Sequence, residues 1–256
     1  MVIGLAIFRE YFKGLERAYL LIGGAACDQQ FEERGLSFRA TKDLDIILVA
    51  EALSREFIER FWQFIQEGGY ENKEKSDGQK QYYRFSKPKS AAFPSMLELF
   101  SRKPDIITEK EGMTLTPIPA DDDLSSLSAI LMDEAYYNFT MQQTMVLNGL
   151  PVASDAALIC LKAKAYLDLS DRKAKGENID SKSVTKHRSD VFRLTAIITP
   201  GTEAKLEGTM RADMEQFIAR VEEEKPVTKD VLKSAGLPVI ELPELIDILR
   251  KVFLPS

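Results

Sequence analysis

Histidine is nearly missing from this chain: His187 is the only one among 256 residues. A metal site built on several imidazoles is thereby excluded, and any metal chemistry must use oxygen ligands. Cysteine is almost as scarce. Cys27 and Cys160 both sit in apolar surroundings, which predicts two reduced core thiols of a cytoplasmic protein rather than a disulfide. Glycine (14) and proline (11) are few while aromatics reach 9%, so collagen-like, low-complexity and disordered readings fall away. No apolar run approaches the roughly 20 residues that span a bilayer, and no membrane partner is expected. The opening MVIGLAIFREYFKG holds a short greasy stretch without a basic leader, broken by Arg9 and Glu10, so no export signal is expected there. Positive charge is in deficit too. With 34 Lys and Arg against 40 Asp and Glu, the net charge is −6. That argues against coating nucleic acid through a global positive field and leaves room only for a local basic patch.

What is present is core material: 45% of residues are hydrophobic, enough for one generous core or two modest ones. Leu5, Phe8, Phe12 and Leu15 recur at helical spacing over 5–17. AYLLIGG (18–24) reads as a buried strand ending on two glycines and opening into a helix from about Ala25 to Glu33. DLDIILVA (43–50) is a second strand, and FIERFWQFIQ lies in a helix over about 54–67, closed by Gly68 and Gly69. QYYRF (81–85) and FPSMLELF (93–100) read as a hairpin. This order implies a small α/β layer. DDDLSSLSAILM reads as a capped helix and YYNFTMQQTMVLNGLPV as a strand pair. After Pro151 the texture turns helical, so a boundary is expected near 152, with domains 1–152 and 153–256. The polar stretch 170–183 is expected to be an exposed loop.

Chemistry concentrates in LLIGGAACDQQFEERGLSFRATKDLDIIL. Asp43 and Asp45, two apart on a strand, leave the same face about 7 Å apart at the α-carbons. Neighbouring carboxylates repel and resist desolvation, and a hard dication relieves both penalties. Taken alone, the pair is better read as the solvated face of an edge strand. Gly23 and Gly24 end a strand and open a helix, which lets backbone approach a phosphate at a helix N-terminus; a tight turn needs the same residues. Together, a phosphate cradle and an acid pair about 20 residues on suit a nucleoside triphosphate with its metal. Glu98, an acid embedded in the apolar SMLELF, is a candidate third carboxylate that would help activate an attacking hydroxyl; an edge-strand charge is the alternative.

Gly23-Gly24 followed by Arg39-x-Thr41-x-Asp43-x-Asp45 resembles the nucleotidyltransferase superfamily, and within it the AbiEii/AbiGii toxin-type branch. The resemblance implies an α+β fold, a nucleotidyltransferase-like mixed sheet with flanking helices plus a C-terminal helical domain. It implies magnesium or manganese held by Asp43, Asp45 and Glu98, with phosphates on Gly23 and Gly24. Arg39 and Thr41 would shape the entrance of the metal strand; read alone, they are a surface arginine and a strand-initiating threonine. One departure stands out. Many members carry a serine after the first glycine, whereas this chain reads Gly-Gly-Ala-Ala, so phosphate binding would rest on backbone N–H groups.

In the helical half, Lys162 lies beside Leu158, Leu161 and Ala165, where a lysine either snorkels or meets a partner. The toxin-type branch has a K-x-x-A helix, then a helix with a basic residue and D-h-[FYW]-x-L. Lys162-x-x-Ala165 and Asp190-Val191-Phe192-Arg193-Leu194 match that shape. The resemblance thus implies that Lys162 contacts the triphosphate, with Lys186 and Asp190 completing the site; Lys164 is the alternative to Lys162. Without the resemblance, Lys186 and Asp190 are an ordinary i,i+4 pair and His187 is a surface residue. Over 160–195 nine basic residues face five acids, a local +4 that suits an anionic acceptor or the triphosphate itself.

The expected function is a magnesium-dependent transfer of a nucleoside monophosphate to an acceptor hydroxyl. By resemblance that acceptor is an RNA 3′ end or a protein, and the enzyme is the toxin partner of an antitoxin protein. A small-molecule (antibiotic-type) nucleotidyltransferase and a non-catalytic nucleotide-binding regulator suit the same residues.

Overall fold

Tyr19, Leu20, Leu21 and Ile22 are all buried, and they make the strand around which the first half is built. The computed structural model describes residues 2–49, 52–72, 82–100, 130 and 133–255. In it the chain forms two compact units. Among the described residues, the first takes those of Met1–Glu33, Arg39–Leu124 and Thr144–Ala153, and the second the remainder.

The first unit opens with helix α1 (Leu5–Tyr11), strand β1 (Tyr19–Ile22), helix α2 (Gly23–Glu33), strand β2 (Asp43–Leu48) and helix α3 (Arg55–Gly68). Strands β3 (Glu71–Asn72), β4 (Tyr82–Ser86), β5 (Met96–Phe100), β6 (Thr144–Leu147) and β7 (Leu150–Ala153) complete it. The seven strands run in the order β3-β4-β5-β2-β1-β7-β6. The sheet is mixed: β1 pairs antiparallel with β2 and parallel with β7, β2 pairs parallel with β5, and β4 and β5 are antiparallel. Local chemistry sets the helix ends. Ser54 accepts a hydrogen bond from Phe57 N–H to start α3, and Gly69 at φ 62° closes it in the left-handed conformation that glycine tolerates. One face of α3 carries Phe57, Phe61 and Phe64 against Phe8, Phe12 and Tyr19, an aromatic core with mostly tilted and edge-on ring contacts.

The second unit includes helix α4 (Glu134–Gln142) and then helices α5 (Asp155–Ala174), α6 (Ser181–Ile197), α7 (Gly208–Glu224), α8 (Lys229–Lys233) and α9 (Leu242–Phe253). The side chains of Ser154 and Asp180 cap α5 and α6. Leu158, Leu161, Val191, Phe192, Met214, Phe217, Leu245 and Leu249 form its buried core. The molecule is therefore α+β, a mixed sheet with flanking helices followed by a helical unit. Among the described residues, no helix is long and apolar enough to cross a membrane. Cys27 and Cys160 are both buried, and neither is joined in a disulfide.

Three expectations are corrected. Residues 134–142 are helical, not the first arm of a strand pair; the hairpin is the shorter 144–153, turned by Asn148 (φ 51°) and Gly149 (φ 75°), a pair suited to two successive positive φ values. Asp133, accepting from Ala135 N–H, starts α4 in their place. The polar loop expected over 170–183 shrinks, because α5 runs on to Ala174 and α6 begins at Ser181. Its Lys, Arg and Ala residues are good helix formers, and polarity alone stops no helix. Finally, His187 is buried rather than at the surface. The capped helix expected from DDDLSSLSAILM falls, apart from Ile130, outside the described residues.

Candidate functional site

At the end of β1 the chain turns without a spacer from Ile22 into α2. Gly23 makes that junction at φ +64°, a conformation costly for any residue with a Cβ. Space is as restrictive as conformation. A Cβ on Gly23 would lie 1.7 Å from Asp45 Oδ2, and one on Gly24 would lie 2.7 Å from Thr41 Oγ1. The two glycines therefore let the Asp45 carboxylate and the Thr41 hydroxyl rest on the backbone at the start of α2. Register explains the approach, since Ile22 is the partner of Asp45 across β1 and β2.

Asp43 and Asp45 are half-buried while Leu44 and Ile46 between and beyond them are fully buried. Alternation along β2 thus sends the acids to one face and the aliphatics into the core. The start of β2 is anchored by Ser95 N–H donating to Lys42 O at 3.0 Å. Parallel pairing then sets Asp43 opposite Met96 and Asp45 opposite Glu98. The sequence-expected Gly23, Gly24, Thr41, Asp43, Asp45 and Glu98 are brought to one end of the sheet; Arg39, half-buried, precedes them in the same approach to β2.

Glu98 has a partner that sequence reasoning missed. Arg84, opposite Glu98 in β4, donates from Nε to Glu98 Oε1 at 2.9 Å, and its Nη2 lies 2.8 Å from the same oxygen. Glu98 is 6% exposed. The signal was present: YYRF sets one arginine in a strand predicted to pair with the strand that holds Glu98. Among the described residues, no three His, Cys, Asp or Glu side chains are gathered to hold a metal ion. The donors suited to a cation are the two half-buried aspartates, and they fit magnesium, which takes one or two carboxylates and completes its shell with water and substrate phosphates.

In the second unit, Lys162 and Asp190 meet at 3.6 Å with side chains 2% and 0% exposed. Arg193 Nη1 reaches the other Asp190 oxygen at 3.1 Å, and its Nη2 donates to Ser234 Oγ at 3.2 Å. Lys162 is the inward lysine, as its apolar neighbours suggested. Its ammonium is engaged by Asp190 rather than presented to solvent. Lys186 is exposed while Asp190 is buried, so the i,i+4 spacing does not put both at one surface. Lys164 pairs with Asp213 at 3.1 Å and with Asp168 at 3.4 Å. Burial opposes its charge, but the two carboxylates outweigh that and raise its pKa. At the start of α5, Asp155 is buried and paired with Arg34. Burial pushes its carboxyl up to about 6 even though the guanidinium pulls it down.

No family model matches the chain, and no curated protein does. Among solved structures it is similar to the crystal structure of an antigenic nucleotidyltransferase-like protein from Paracoccidioides brasiliensis. The identity is 15% over 90% of each chain, with a TM-score of 0.45.

Proposed function

We propose that the chain is a magnesium-dependent nucleotidyltransferase that moves a nucleoside monophosphate from a triphosphate to an acceptor hydroxyl. The observation that carries this reading is the contact of the Asp45 carboxylate with Gly23, which joins an acid pair to the opening of a helix. In this reading the N–H groups at the start of α2 take phosphate oxygens, helped by the positive end of the helix. The Thr41 hydroxyl, against Gly24, is a further donor at the same place. Asp43 and Asp45 would hold magnesium, which when bound offsets the charge of the phosphates and of the leaving pyrophosphate. The aspartates also orient the triphosphate, because its phosphates share their cation with them. Nearby, Glu98 is buried and held by Arg84.

By resemblance alone, the acceptor is an RNA 3′ end or a protein hydroxyl, and the enzyme is the toxin of a toxin–antitoxin pair in the cytoplasm. A small-molecule acceptor is the alternative that RNase-resistant and protease-resistant labelling would favour. Incubation with α-labelled nucleotides, magnesium and cell extract tests the reading. The expected result is labelled acceptor that disappears with Asp43→Ala and with Asp45→Ala; unchanged labelling in both variants ends it. One observation favours a second reading, a nucleotide-binding regulator without catalysis: Arg84 engages Glu98, the carboxylate opposite Asp45. Nucleotide binding by calorimetry, with no label transfer to any acceptor pool, would select that reading.

A further inference from the structure

The face that carries the two aspartates also carries a cation. Ile22, Asp45, Glu98 and Arg84 stand in register across β1, β2, β5 and β4, and residues in register share a sheet face. Arg84 meets a single Glu98 oxygen through two nitrogens, and the two side chains are 19% and 6% exposed. A carboxylate so held already has its counter-charge, so a dication beside Asp45 would compete with a guanidinium for it. A guanidinium fork matches phosphate as well as carboxylate. A buried carboxylate that loses its partner needs another cation.

Resting on the function proposed above, we propose that Arg84 is a positioning residue that keeps Glu98 out of the metal-ligand set until phosphate oxygens of a bound nucleoside triphosphate take its guanidinium. Glu98 then joins Asp45 only when nucleotide is present. The site binds cation through two aspartates at rest and through three carboxylates when loaded. By linkage, the Arg84–Glu98 pair makes nucleotide and cation each strengthen binding of the other.

The test is manganese binding to the whole protein without nucleotide, followed by electron paramagnetic resonance of the free ion. Glu98→Gln is expected to leave that affinity unchanged, because the carboxylate is not yet a ligand. Arg84→Gln is expected to raise it by about 10- to 100-fold, the range by which groups that hold metal ligands tune affinity. Adding Glu98→Gln to Arg84→Gln is expected to abolish the gain. Arg84→Lys, which keeps the charge but loses the fork, is expected to raise affinity by a smaller factor and serves if Arg84→Gln does not fold. A loss of affinity in Glu98→Gln alone overturns the proposal, since Glu98 would already be a ligand. So does unchanged affinity in both Arg84 variants. The functional reading fails differently: the unsubstituted protein would then bind no manganese, or Asp43→Ala and Asp45→Ala would bind it equally well.

Discussion

The two units treat their charged residues in opposite ways. In the first, Asp43 and Asp45 stand half-buried near a strand end, against backbone that glycine leaves uncovered. In the second, Lys162 and Asp190 stand buried within helices and half-buried Arg193 shares the same carboxylate. Both arrangements place charge among apolar residues. The first leaves its aspartates half-buried, whereas Asp190 in the second is fully buried. A charge buried in the middle of a helix must be satisfied by its neighbours, because an unpaired buried charge is costly.

The comparison can be broken from either side, and the largest effect is expected in the helical unit. Asp190→Ala would leave Lys162 and Arg193 without their shared carboxylate and should lower stability by about 3–5 kcal/mol, read from urea unfolding. A loss near zero would mean that the cluster is not the internal tie described above. Removing both Asp43 and Asp45 should do the reverse. Label transfer should fall at least about 100-fold, about 2.7 kcal/mol in barrier, while stability moves by about 1 kcal/mol or less.

Between these lies the effect of pH. Because Asp155 has a raised pKa in the fold, the native state binds its proton more tightly than the unfolded chain does. Stability from this group is therefore fully present below about pH 4 and is lost as pH rises through about 6. The span is about 2–3 kcal/mol. Urea midpoints measured from pH 4.5 to 7.5 should fall with pH, and Asp155→Asn should flatten that slope. Gly23→Ala forces a Cβ onto Asp45 at positive φ and should cost about 1–3 kcal/mol, with nucleotide binding weakened as well. The smallest change is Ser154→Ala, which deletes the cap of α5 and should cost about 1 kcal/mol without altering nucleotide or manganese binding.

Much of the first unit was legible because its signals are local. The alternation of DLDIIL, the two glycines after YLLI and the amphipathic FIERFWQFIQ each predict an element from a few neighbours. The same holds for the inward direction of Lys162, given by its apolar stripe. The errors came where local signals compete. YYNFTMQQ has the aromatic and β-branched content of a strand, yet a single Asp133 cap and the absence of a breaker make it a helix. The run 170–174 reads as loop by polarity and as helix by propensity, and propensity prevailed. The burial of His187 and the partner of Asp190 depend on which helices pack together, which no spacing within one helix reveals. Arg84 was hidden for a related reason: its meaning appears only once β4 and β5 are set in register.

The hairpin Thr144–Ala153 carries a further consequence through its place in the chain. It belongs to the sheet of the first unit, although helix Glu134–Gln142 before it belongs to the second. Strand Tyr19–Ile22 has Leu150–Ala153 as its parallel neighbour. During synthesis, then, that central strand must wait for more than a hundred later residues to leave the ribosome before its open edge is closed. No single cut can release either half whole, because each unit is built from separated stretches of the chain.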